Sequence, residues 1–212
     1  MWRMEDILEV YTRPYEPKRP VVCMDEKNYQ LLENKVESLP PKPGEPKKED
    51  YEYERKGVVN LFMLFEPFAG WRHVEIRNRR TSEDWAFVMK ELSMRYPDAE
   101  KIVVVLDNLN THTPASFYKV FEPEEAFELF QRFEFHYTPK HGSWLNMAEI
   151  ELSALTRECL NQRIGDVSIL ARYVSLWERE RNNNLVKVDW RFTTQNARIK
   201  LKRLYPVLKN QD

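Results

Sequence analysis

Three carboxylates occupy positions from which they could do chemistry together. Asp107 closes the run KIVVVLDNLNTH, in which Ile102 to Leu106 are apolar and mostly β-branched. Such a run reads as a strand buried on both faces. A carboxylate at the carboxyl end of a buried strand sits where open α/β sheets place their ligands, although Asp also starts turns and caps helices. Asp25 repeats the pattern in PVVCMDEK, where the short apolar strand Val21–Met24 runs into it, with Glu26 beside it. Successive strand residues face opposite ways, so Asp25 and Glu26 are not expected to serve one site. Glu149 lies in YTPKHGSWLNMAEI. There Pro139 and Gly142 mark a loop, Asn146 is the expected helix N-cap, and Glu149 falls in the first helical turn. Ala148, Leu152, Leu155 and Cys159 form one buried stripe. Glu149 borders that stripe, while Glu151 is rotated roughly 200° from it and is expected to face solvent.

Carboxylates ending two neighbouring parallel strands, roughly 4.8 Å apart, repel each other unless a cation lies between them. Mg²⁺ suits such a set, because it takes a few carboxylates together with waters and phosphate oxygens. Two ions would divide the work on a phosphodiester, one activating the attacking oxygen and the other stabilising the leaving oxygen. One would bridge the aspartates, and the other would use an aspartate and the glutamate.

The segments PVVCMDEK, VVVLDNLNTHTPASFY, FHYTPKHGSWLNMAEIELS and FTTQNARIKLKRLYP resemble the catalytic part of the IS630 group of transposases, in the Tc1/mariner superfamily. The resemblance runs from about Pro20 to Pro206. It implies a DDE/DDD-type recombinase with an RNase H-like fold and a catalytic and metal-binding triad of Asp25, Asp107 and Glu149. Mg²⁺ or Mn²⁺, as two ions, is the implied cofactor. The implied partners are DNA, as transposon ends and target, and a second copy of the chain in a homodimeric active complex. The implied setting is the bacterial cytoplasm, in association with the nucleoid. Two departures stand out. The 41 residues between Asp107 and Glu149 exceed the spacing of the mariner relatives, with the surplus around Phe121–Arg132. Relatives also begin with helix-turn-helix modules, for which there is no room ahead of Asp25. The chain alone is therefore expected to bind DNA with little sequence preference and strong dependence on salt.

The 212 residues fit one domain of ordinary size. No apolar run approaches a membrane span and no signal-peptide pattern opens the chain. Cys23 and Cys159 are too few for a disulfide framework and lack metal-ligand spacing. Lysine and arginine (33) nearly balance aspartate and glutamate (34), for a net charge of −1. DNA binding would therefore require basic residues gathered on one face.

Residues 1–19 read as a short amphipathic helix and a linker, with Met4, Ile7, Leu8 and Tyr11 as the stripe and Pro14 as its end. Residues 20–212 form the expected catalytic domain, in which the Pro-rich stretch 38–56 reads as an inserted surface loop. Gly57–Glu66 and Trp71–Arg77 predict an antiparallel hairpin, and Thr81–Asp84 a capping box opening a helix that ends near Pro97. Pro114 suits the first position of a helix capped by Thr113. Helical segments at Ala115–Val120 and Glu124–Arg132, a strand at Phe133–Tyr137, and a helix begun by Asp166 or Ser168 follow. The last helix is expected over Gln195–Tyr205, burying Ala197, Leu201 and Leu204.

These elements predict an α/β architecture, a five-stranded mixed sheet with helices on both faces. Strands one to three form a meander, and a right-handed crossover sets the fourth parallel to the first. Candidate DNA contacts are Lys140, Arg79, Arg80, Arg198, Lys202 and Arg203. His112 and His141 flank the site, as loop-orienting residues or, for His112, as a phosphate contact or carboxylate positioner. The expected function is phosphodiester cleavage and strand transfer by a transposase catalytic domain. The alternatives are a nuclease that only hydrolyses, and a non-catalytic remnant that binds DNA or a partner subunit.

Overall fold

The computed structural model describes residues 1–35 and 52–206. Its elements are helix α1 (Trp2–Thr12), strands β1 (Val21–Asn34), β2 (Tyr53–Glu66) and β3 (Trp71–Arg77), helix α2 (Ser82–Arg95), strand β4 (Ile102–Leu106), helix α3 (Pro123–Arg132), strand β5 (Phe133–Tyr137), and helices α4 (Ala148–Glu158), α5 (Val167–Asn183) and α6 (Thr194–Lys200). The sheet order is β3-β2-β1-β4-β5. β2 runs antiparallel to β1 and β3, while β4 is parallel to both β1 and β5. This is the expected mixed sheet, with the expected meander and crossover.

Strand alternation divides the core into two layers. Val21, Cys23, Leu61, Met63, Val103 and Val105 pack toward α1, α4, α5 and α6. Val22, Met24, Phe62, Leu64, Val104 and Leu106 pack toward α2 and α3. Side-chain caps open some of the helices. Thr81 and Asp84 form a reciprocal capping box on α2, and Asp166 accepts from the amides of Ser168 and Ile169 at the start of α5. α1 is packed into the core: Met4, Ile7, Leu8 and Tyr11 are buried, and Val10 with them.

Several boundaries differ from expectation. β1 does not stop at Asp25 but continues to Asn34, because β2 pairs along it as far as Tyr53. Residues 53–56, read as loop, are therefore strand; the remainder of that stretch, apart from Glu52, lies outside the described residues. The surplus between Asp107 and Glu149 is α3, whose Ala126 and Leu129 join the core. α5 buries Leu170, Val174 and Trp177. The last helix stops at Lys200 and a 3-10 turn follows over Lys202–Leu204, so Leu204 is exposed.

Candidate active site

The register of β1 and β4 fixes the two aspartates. Val21 pairs with Val103 and Cys23 with Val105; continuing that register by two residues leads to Asp25, inside β1, and to Asp107, the first residue past the end of β4, and the two carboxylates are close enough for the charge of Asp107 to act on Asp25. Both have the parity of Cys23 and Val105, and so belong to the face covered by α4. There β4 ends while β1 continues.

α4 brings Glu149 to this face. Asn146 was expected as its N-cap, but the helix starts at Ala148 after Met147. Asn146 instead stitches helix to sheet: its Nδ2 donates to the Met24 carbonyl (2.8 Å) and its Oδ1 accepts from the Ala148 amide (3.2 Å). Tyr11 donates to the Leu145 carbonyl (2.6 Å), and Lys27, two residues beyond Asp25, donates to Thr156 (2.6 Å). The preceding loop is tight. Gly142 donates to the Pro139 carbonyl (2.8 Å), and a Cβ at Gly142 would run into the Pro139 ring. Glu149 thus sits at a helix N-terminus, where the backbone dipole favours negative charge.

The electrostatics couple the three acids. Burial pushes the Asp25 carboxyl up to about 7, with the charges of Asp107 and Glu149 adding to the rise. A group so poised needs a positive charge to remain ionised near neutrality. An all-carboxylate donor set suits a hard divalent cation, and in chemistry and placement these residues fit one. They do not yet converge: among the described residues no three such side chains are clustered on a single ion position. Asp25 Oδ1 accepts from the Glu26 amide (2.8 Å), and Asp107 Oδ1 is held by His112.

His112 is buried, with Nδ1 2.5 Å from Asp107 Oδ1 and Nε2 2.9 Å from Glu26 Oε1. Burial pulls the imidazole down, but the bonds to Asp107 and Glu26 outweigh it and raise it to about 9. With both ring nitrogens engaged, His112 positions a carboxylate. Glu26, set aside on parity, therefore reaches the site from the opposite face. The signal that could have found it is the histidine five residues after Asp107, long enough to span the sheet edge.

Glu151 is buried, not solvent-facing. The sequence rotation is as expected, but α5 and β3 cover that side of α4. Arg181 grips Glu151 through two nitrogens (2.9 and 3.1 Å). Arg72 Nε lies 3.2 Å from it, within ion-pair range though poorly angled for a hydrogen bond.

Of the candidate DNA contacts, Lys140, Arg79, Arg80, Lys202 and Arg203 are exposed. Lys140 lies in the loop leading to Glu149. Arg79 and Arg80 follow β3, two strands from β1, at the sheet end toward which Asp25 lies. Arg198 is exposed but doubly bonded to Glu5 of α1 (2.8 Å each).

No curated protein is similar in sequence. Solved structures are similar in fold. A Mos1 mariner paired-end complex with Mn matches at 16% identity and TM-score 0.56, over 87% of this chain and 57% of that one. The Mos1 strand transfer complex matches at 16% and 0.56, over 88% and 60%. This chain thus spans about three fifths of the length of those proteins. The sheet is that of an RNase H-like catalytic domain. The family of DDE superfamily endonucleases matches residues 20–171, a stretch that holds all three carboxylates, and the chain belongs to that family.

Proposed function

We propose that this chain is the catalytic domain of a transposase of the IS630 type, which cuts a phosphodiester at a transposon end and joins the freed 3′-hydroxyl to target DNA. The observation that carries the reading is the gathering of three acids: Asp25 on β1 and Asp107 just past the end of the parallel neighbour β4, with Glu149 of α4 near enough for its charge, like that of Asp107, to act on Asp25. Endonucleases of this family use divalent metal ions; we assign two, Mg²⁺ or Mn²⁺, held by Asp25, Asp107 and Glu149. When bound, such ions acidify the attacking water or hydroxyl and neutralise charge on the leaving oxygen.

The chain's own residues supply the frame. Asp25, on backbone locked by sheet pairing, and Asp107, at the end of β4 with its carboxylate held by His112, set the position of the scissile phosphate. Asn146 and Lys27 hold α4 against β1, which keeps Glu149 in place relative to both. Lys140, Arg79, Arg80, Lys202 and Arg203 attract the DNA backbone, while Arg198 would contact it only on leaving Glu5. Phosphate contacts of this kind position DNA without reading its sequence. We further propose a homodimeric active complex working in the bacterial nucleoid.

The test supplies a duplex with a pre-cut 3′-hydroxyl end, a supercoiled target and Mn²⁺. Joined products are expected, and Asp25→Asn, Asp107→Asn and Glu149→Gln should each abolish them. Nicking without joining would make the protein a hydrolytic nuclease. Neither product, with the fold intact, would leave a DNA-binding or subunit-binding remnant.

A further inference from the structure

Glu26 is a costly residue to place where it is. Its side chain is 3% exposed on the α2–α3 side of the sheet, and one of its oxygens has no hydrogen-bond partner. A buried carboxylate costs several kcal/mol unless paired. Its partner here is the imidazole of His112, whose other nitrogen holds Asp107. Both partners are carboxylates, which only accept, so the ring donates from each nitrogen.

The ring is stacked on a neighbour and the loop that carries it is anchored. Trp85 of α2 stacks on it at 5.8 Å between centroids, tilted by 26°. Tyr137 donates to the His112 carbonyl (3.0 Å), the His112 amide donates to Leu109 (3.0 Å), and Ser116 donates to the Thr111 carbonyl (2.9 Å). Stacking on Trp85 sets the plane of the imidazole, and within that plane the bond to Glu26 on Nε2 is what holds Nδ1 against Asp107 from the far side of the ring.

We propose that Glu26 is a positioning residue for DNA cleavage: acting through His112, it fixes the rotamer of Asp107 and so sets how that carboxylate meets the divalent ion. The idea rests on the endonuclease reading above. It also accounts for two adjacent acids on β1 facing opposite ways yet serving one centre. Asp25 does so directly, and Glu26 through a ring that spans the end of β4.

The test measures Mn²⁺ affinity by calorimetry and Mn²⁺-dependent nicking, in the same proteins. Glu26→Leu fills the space and removes the acceptor; Glu26→Gln keeps an acceptor for Nε2. Outer-shell partners of metal ligands are worth roughly 10–100-fold in affinity. Glu26→Leu should therefore weaken Mn²⁺ binding about tenfold, and raise the Mn²⁺ needed for half-maximal nicking by the same factor. DNA affinity without metal should hold, and Glu26→Gln should recover most of the loss. His112→Asn should reproduce the defect, and in the Glu26→Leu/His112→Asn double variant the losses should not add. Additive losses, or wild-type Mn²⁺ affinity in a folded Glu26→Leu protein, would overturn the proposal. Should Glu26→Leu fail to fold, the cycle is run with Glu26→Gln, where a smaller, non-additive loss is expected and additivity refutes. If the wild type binds Mn²⁺ yet cuts nothing, the endonuclease reading fails while the affinity comparison still judges Glu26.

Discussion

Glu149 and Glu151 lie two residues apart on α4, and the fold treats them oppositely. Glu151 is 1% exposed and has Arg181 and Arg72 against it. Arg72 is itself fixed by the Gly70 carbonyl (2.9 Å) and Asn182 (3.2 Å) and lies over the Phe65 ring. The charge that burial would otherwise forbid is compensated inside the chain. Around Glu149, Asp25 and Asp107, no lysine or arginine forms an ion pair with any of the three among the described residues, and the one protein cation in contact is His112, on Asp107. Compensated acids tie elements together; in the function proposed above, the uncompensated ones take their compensation from a cation. The strain appears in Asp25, which Glu151's surroundings would have relieved.

The sharpest way to break this comparison is to neutralise each side in turn. Asp107→Asn should lower nicking by a thousandfold or more, about 4 kcal/mol at 1.36 per decade, with the melting temperature unchanged or raised. Glu151→Gln should do the reverse. It leaves Arg72 buried beside a neutral group, and removing one partner of a buried pair costs about 3–5 kcal/mol. That corresponds to a drop of roughly 10 °C at 2–4 °C per kcal/mol, with turnover per folded molecule nearly retained. Thermal melts and nicking rates on the same samples decide it. A Glu151→Gln protein that is stable but inactive, beside an active Glu149→Gln, would reverse the two roles.

The contrast also shows which parts of the chain speak through sequence. β4 was legible because Ile102–Leu106 is buried on both faces and its apolar run ends on a charge. The α2 cap was legible because Thr81 and Asp84 satisfy each other locally. Glu151 was not, because a helical wheel assumes one covered face, and α4 is covered by the sheet on one side and by α5 on another. The far half of β1 was hidden for a related reason. DEKNYQ has no apolar alternation of its own, and its strand character comes from the pairing with β2. Glu26 escaped because alternation assigns a side chain to a face, whereas His112 links the faces at the point where β4 ends. Of the candidate site, Asp107 and Glu149 stood out by their places just past a strand and in the first turn of a helix, and Asp25 by closing an apolar run inside what proves a longer strand; their supports did not, since Asn146, Lys27 and Glu26 act across more than 80 residues of chain.

If the carboxylate centre takes its compensation from solution, divalent ions should stabilise the native state. At a free concentration a hundred times the dissociation constant, the gain is about 2.7 kcal/mol. Titrating Mg²⁺ or Mn²⁺ into thermal melts should raise the midpoint steadily. Asp107→Asn should blunt the rise, and Glu151→Gln should keep it from a lower baseline. A midpoint indifferent to millimolar Mn²⁺ would mean that the three acids do not form a site in the free protein.

The smallest effect is the most diagnostic, because its sign changes with pH. Burial first, then the charges of Asp107 and Glu149, place the Asp25 carboxyl at about 7 in the folded protein, against an ordinary value of 3.8. Between about pH 4 and pH 7 the folded state therefore holds a proton that the unfolded chain has released, and this group makes stability fall as pH rises. Glu5, lowered to about 2 chiefly by Arg198, has its effect below that window. His112, raised to about 9, and His73, raised to about 10 by Glu178 and Glu75, contribute fully below their ordinary 6.5 and lose that contribution as pH rises from there through their folded values, in wild type and variant alike. Asp25→Asn should thus change the slope between pH 4 and 7 and little else. Relative to wild type, the variant should be neutral or slightly less stable at pH 4.5, and more stable at pH 7.5 by on the order of 1–2 kcal/mol, allowing for partial solvent screening. Urea unfolding at the two pH values measures this directly. Saturating Mn²⁺ should cancel the advantage at pH 7.5, since the ion then supplies the positive charge that Asp25 lacks. An advantage that is the same at both pH values would place the strain in packing rather than in charge, and would remove the electrostatic distinction between Asp25 and the arginine-held Glu151.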